Sequence, residues 1–197
     1  MSNFEFFFSL FGLLFGFVLV EVLSGLVRTI KAKRLAPGSE EHGIRLGWLT
    51  PLLGLFILLD ISSYWENLWE IRNSVAVGFG TIFGSLFITG VYYFASSLVF
   101  PDNTEAWPDL DKWFWLHRRQ VLACILGVNL IWIPIWKFLA PSGVTLIEAL
   151  LQLPYFAFVL IAMLSRNSWV VGIALTILST VYIGLGIADL VSHVIAS

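Results

Sequence analysis

Residues 168–188 read SWVVGIALTILSTVYIGLGIA and contain no Asp, Glu, Lys, Arg or His. About twenty apolar residues, wound as a helix, cross the hydrocarbon of a bilayer. The stretch is long enough to do so, and its apolar character carries on to residue 193. Working back toward the N-terminus, five more runs share this character: 6–27, 46–64, 74–99, 116–138 and 144–164. Pro51, Pro134 and Pro154 lie within or near the ends of these runs. Membrane helices tolerate them because neighbouring helices and Ser or Thr side chains satisfy the freed carbonyls. The expected fold class is all-α: a polytopic membrane protein, a six-transmembrane-helix bundle with short loops, forming one integral membrane domain over 1–197. The longest gaps, 28–45 and 100–115, leave no room for a soluble domain.

Composition agrees with that solvent. The 197 residues are 58% hydrophobic and 12% charged, with a mean hydropathy of +0.88. Soluble domains are about a quarter charged, and a globule of this size could not hide so many aliphatic and aromatic side chains from water. A soluble enzyme and a disordered chain are excluded. The net charge of -2 offers no basic face for phosphates, so nucleic acid is not a partner; the lipid bilayer is. The single cysteine, Cys124, permits no internal disulfide and reads as a small apolar packing residue. Residues 6–20 have the length of a signal-peptide core. However, Glu5 precedes them with no Lys or Arg, and no small-x-small site follows, so a retained helix is expected.

Lys and Arg placement sets the expected orientation. Arg28, Lys31, Lys33, Arg34, Arg45, Lys112, Arg118, Arg119 and Arg166 flank three alternate loops, whereas only Arg72 and Lys137 flank the others. Loops 28–45, 100–115 and 165–167 should face the cytoplasm. The chain is then expected in the inner (plasma) membrane with both termini on the outer, periplasmic side. Tyr64, Trp65 and Trp69, with Glu66, Glu70 and Arg72 between them, read as an amphipathic turn at the outer surface. Trp107, Trp113 and Trp115 read as a belt on the opposite side. The acidic segment 101–111 reads as an interfacial loop capping the fourth helix through Asp109 or Asp111, or alternatively as a docking surface.

Helices approach closely in lipid through small residues. The sixth span carries Gly172, Thr176, Thr180, Gly184, Ala188 and Ser192 at a spacing of four, read as an intramolecular packing ridge with dimerisation as the alternative. Gly80 with Gly84, and Gly12 with Gly16, are shorter versions. An internal echo, Arg72-Asn73-Ser74 with Val77-Gly78 against Arg166-Asn167-Ser168 with Val171-Gly172, raises the possibility of two inverted three-helix units.

Charges at membrane depth need partners or water. Glu21 and Arg28 are seven residues apart on one face of the first helix and read as a structural ion pair. Asp60, Glu148, Asp189 and His193 all fall in the outer third of their spans. If they converge, they could take up a proton or a cation. Asn129 and Gln152 lie deeper and need interhelical hydrogen bonds. No catalytic residue, metal site or cofactor is expected. HExxH and GxSxG are absent, and bis-His haem is rejected because His42, His117 and His193 share no depth.

The block Phe100-Pro101-Asp102, Trp107-Pro108-Asp109-Leu110-Asp111 and His117-Arg118-Arg119 resembles one in small bacterial polytopic inner-membrane proteins without an assigned activity. The resemblance covers a small part of the chain and implies location only. The leading expectation for function is a non-catalytic accessory or assembly subunit of a larger membrane complex. The alternative is a small transporter or channel for a proton, cation or small solute, which draws on Asp60, Glu148, Asp189 and His193 and predicts a hydrated cavity reaching toward the membrane centre from the outer side. An intramembrane lipid-modifying enzyme is the third.

Overall fold

The computed structural model describes residues 3–35, 45–104, 106–139 and 152–196. Six helices account for most of them: α1 (Asn3–Leu35), α2 (Leu49–Glu70), α3 (Phe79–Ser97), α4 (Leu110–Leu139), α5 (Leu153–Leu164) and α6 (Ser168–Ala196). The chain is thus all-helical. α1, α3, α4 and α6 are long and apolar enough to cross a membrane. α2 is 22 residues long but is interrupted by polar side chains from Asp60 onward, and the described part of α5 is 12 residues. The first half of the expected fifth span, 144–151, lies outside the described residues.

Local chemistry explains the helix ends. Glu5 opens α1, and Lys33 and Arg34 close it, each sign complementing the helix dipole. Pro51 falls in the first turn of α2, where its missing N–H has no intrahelical acceptor to lose. Pro101 stops the chain from extending α3. Asp109 caps α4 as expected, its Oδ1 accepting from the backbone N–H of Asp111 at 3.1 Å and of Lys112 at 3.4 Å. Arg45 exchanges backbone hydrogen bonds with Pro108 and Leu110, which ties the start of α2 to the start of α4. Trp113 Nε1 donates to the Leu98 carbonyl at 2.9 Å and closes the end of α3.

α2 is the centre of the bundle, packing against α1, α3, α4 and α6. Leu53, Ile57, Asp60, Ile61, Tyr64 and Leu68 form its buried stripe at helical spacing. This corrects the expectation of an interfacial turn at 64–72. The helix continues to Glu70 because Tyr64 meets Trp132 edge-on at 4.3 Å and Trp65 packs on Phe8 and Phe11 of α1. Phe83, Phe87 and Phe94 of α3 and Leu13 and Phe17 of α1 face outward. Such an apolar exterior is stable only with hydrocarbon around it.

Three glycines in this bundle make room for rings. A Cβ on Gly12 would meet the Trp65 ring at 2.6 Å, and one on Gly25 would meet Phe100 Cβ at 2.7 Å. Gly172 receives the Trp48 indole in the same way. Among the described residues, the ridge expected on α6 therefore packs within the chain only at Gly172. Thr176, Thr180, Gly184, Ala188 and Ser192 are exposed, because α6 buries the stripe Val171, Ala174, Leu175, Leu178 and Ser179 instead. Gly80 is exposed, and neither it nor Gly84 has an atom within 4 Å of a built Cβ.

The two halves of the chain are not equivalent either. α1 packs on α3, but α4 does not pack on α6 among the described residues. Asn167 accepts from the Trp169 N–H at the very start of α6, whereas α3 begins seven residues after Arg72. The Arg-Asn-Ser echo has no structural counterpart.

Candidate functional site

Asp60 stands eleven residues after Leu49 and ten before Glu70, in the middle of α2. At about 1.5 Å per residue that is about 16 Å from the start of the helix. Its side chain is 1% exposed. A polar group sealed at this depth needs protein partners, since lipid supplies none.

Four other helices supply them. Tyr92 of α3 donates to Asp60 Oδ2 at 2.6 Å. Tyr155 of α5 and Tyr182 of α6 both donate to Oδ1 at 2.7 Å. Asn129 of α4 reaches Oδ2 at 3.2 Å and Oδ1 at 3.4 Å, and also donates to the Tyr155 hydroxyl at 3.0 Å. An ionised carboxylate is acceptor-only, with about four lone-pair sites. Four side-chain donors converge on those sites. The result is a polar hub that joins α2, α3, α4, α5 and α6 at a single residue.

A cleft of about 810 Å³ lies beside this hub. Asn129, Tyr155 and Tyr182, three of the four partners of Asp60, line its inner part. Glu66, Gln152 and Asp189 line it toward the other end of the bundle, where α2 and α6 finish and α5 begins. Trp132, Ile133, Phe158 and Ile177 give it apolar walls. Trp132 is 6% exposed, and its buried indole N–H has no acceptor among the described residues. A buried donor left unpaired costs roughly 1–3 kcal/mol.

The basic residues collect at the opposite end. Arg28 lies 3.8 Å from Glu21 and 3.4 Å from Asp102, so the expected ion pair forms and gains a second acid from beyond α3. Half-exposed, it contributes little stability. Arg118 is 2% exposed, donates to the Ser165 carbonyl and stacks over Trp115 at 3.8 Å. His117 packs on Trp113 with ring centroids 3.8 Å apart.

Of the four ionisable residues expected in the outer third, Asp60 and Asp189 fall within the described residues. Asp60 is central and closed off by hydroxyls. Asp189 is exposed and lines the cleft. Glu148, His42 and the side chain of His193 lie outside the described residues. Among the described residues no three His, Cys, Asp or Glu side chains could hold a metal ion. The residues that the sequence reading missed are Tyr92, Tyr155 and Tyr182. Their signal was present: each lies within an apolar run, away from the interface where membrane tyrosines concentrate.

No family model matches the chain, and no curated protein or solved structure matches it.

Proposed function

We propose that the chain is a small inner-membrane transporter that takes a small organic solute into the cleft, with Asp60 as the proton-binding group behind its wall. The observation that carries this reading is the cleft itself, which reaches Asn129, Tyr155 and Tyr182. Adding a proton to Asp60 removes one acceptor site, so one of the four donors, a tyrosine hydroxyl or the Asn129 amide, must turn away. Tyr155 and Tyr182 share Oδ1 and both line the cleft, so the rearrangement is felt where a solute would sit.

Cysteine labelling tests it. Single cysteines at Ser62 and Gly186, which line the cleft, and at Leu13 and Phe87, which face outward, are placed in a Cys124→Ser background. In intact cells a membrane-impermeant maleimide is expected to label the cleft positions and not the outward ones. Cleft cysteines as inert as Leu13→Cys would overturn the reading.

The gathering of nine basic residues around alternate helix ends supports both termini being periplasmic. A C-terminal reporter fluorescent only in the cytoplasm is then expected to stay dark, and an exported phosphatase at the same place to be active. A second reading, an accessory subunit, draws on α6: Leu185, Ile187, Leu190, Val191 and Val194 are all exposed over its last half. Co-purification of a stoichiometric partner in mild detergent would favour it.

A further inference from the structure

We infer that protons reach Asp60 through the hydroxyls of Tyr155 and Tyr182, two parallel relays between the cleft and the buried carboxylate. The relay rests on the reading of Asp60 as the proton-binding group. Asp60 is 1% exposed and Tyr92, on its Oδ2, is 2% exposed; neither is among the described lining residues of the cleft. Tyr155, Tyr182 and Asn129 are half-buried and do line it. The cleft therefore ends at these three side chains, with the carboxylate one hydrogen bond beyond them. Toward the start of α2 the way is packed with apolar side chains. Leu53, Phe56 and Ile57 of α2, Ile125 of α4 and Leu175 of α6 are all at most 2% exposed, and none can accept or pass on a proton.

The chemistry of the three boundary side chains picks out the hydroxyls. An amide such as that of Asn129 donates hydrogen bonds but does not part with its hydrogen, whereas a hydroxyl both donates and accepts. A hydronium in the cleft forms a new O–H bond to the tyrosine oxygen while the tyrosine's own O–H bond breaks and its hydrogen passes to Oδ1. Water and a neutral carboxyl result, and the phenol is whole again. Its new hydrogen points to the cleft and its oxygen now accepts from Asp60, so the donor that turns away is the tyrosine that delivered the proton. The groups facing Asp60 are Tyr92 from α3, Asn129 from α4, Tyr155 from α5 and Tyr182 from α6, with Tyr64 one turn farther along α2. The acids of α1 stand elsewhere, Glu5 in its first turn and Glu21 beside Arg28. Glu66 and Asp189 on the cleft wall are about two helical turns beyond Asp60 and Tyr182.

The test is a laser-triggered pH jump on the full chain in lipid nanodiscs, followed by the infrared carbonyl stretch of the protonated carboxyl. Asp60→Asn removes that band and so assigns it. Each jump starts at the same displacement from the variant's own titration midpoint. Tyr92→Phe takes one hydroxyl from the carboxylate but lies off the route, and should leave the rate unchanged. Tyr155→Phe and Tyr182→Phe each close one of two parallel routes, so their residual rates should add up to the wild-type rate. The double variant should be slower by about a hundredfold, the lower end of what a positioned proton-transfer group contributes. If it keeps its proton at every pH, the shift of the band in deuterium oxide gives the exchange rate, with the same ratio expected. If it does not fold, the single variants decide. Tyr155→Phe and Tyr182→Phe both at the wild-type rate, or equal slowing in all three single variants, would overturn the relay while leaving Asp60 as the proton-binding group. No band assignable to Asp60 at any pH would overturn that reading and the relay with it.

Discussion

Asp60→Ala is expected to lower the unfolding free energy of the bundle by about 3 kcal/mol. Interhelical hydrogen bonds in membranes average about 0.6 kcal/mol and reach about 1.7, and four side chains lose theirs together. The cost exceeds a simple sum of weak bonds because the hydroxyls of Tyr92, Tyr155 and Tyr182 are left without their acceptor. Asp60→Asn should cost less, since one carbonyl oxygen remains. Its amide, however, presents hydrogens toward a shell made of donors.

A double-mutant cycle isolates the hub. In a Tyr92→Phe background the Asp60→Ala cost should shrink by about 1 kcal/mol, because one orphaned hydroxyl is already gone. Thermal unfolding in detergent, or unfolding by a steric trap in bicelles, provides the measurement. A change within about 0.5 kcal/mol of zero, the range of ordinary surface substitutions, would mean that the hub does not hold the helices together.

The second large effect concerns Gly25. Its substitution by Ala places a methyl group 2.7 Å from Phe100 Cβ and 2.8 Å from Cδ2. Phe100 is 3% exposed and also lies against Gly54, where a Cβ would stand 3.4 Å from Cε2. The ring is held between α1 and α2 and has nowhere to go. Overpacking of this kind costs about 1–3 kcal/mol, and Gly25→Val should cost more. Gly16→Ala is the control on the same helix. Nothing lies within 4 Å of its Cβ position, so the gain in helix propensity, up to about 1 kcal/mol, should appear as a higher melting temperature. Opposite signs at Gly25 and Gly16 are the expected result, and a rise at both would place Phe100 elsewhere.

The distance between those two glycines shows what a pattern of small residues can and cannot say. Gly12 and Gly16 sit at the spacing associated with close helix pairing, yet only Gly12 has a neighbour, the Trp65 ring. The ridge from Gly172 to Ser192 has the same spacing and is largely open. Spacing identifies which residues share a helix face. Whether a second helix lies against that face depends on the other helices, and α6 turns its aliphatic stripe inward.

Asp60 and Asn129 were each recognisable as polar groups needing partners in an apolar run, and the cap at Asp109 and the pairing of Glu21 with Arg28 followed from local spacing. Tyr92, Tyr155 and Tyr182 were not assigned, because tyrosine in a membrane sequence ordinarily marks the interface. Composition and apolar run length by themselves determined that the chain is helical, with helices apolar enough to cross a membrane, since burying each peptide's hydrogen bonds in lipid leaves a single chain few alternatives. Only the tertiary structure decided that three tyrosines and an asparagine meet one carboxylate beside a cleft. These side chains are 32, 69, 95 and 122 residues from Asp60 along the chain, and convergence over such separations is fixed by how the helices rotate and pack, which no local pattern encodes.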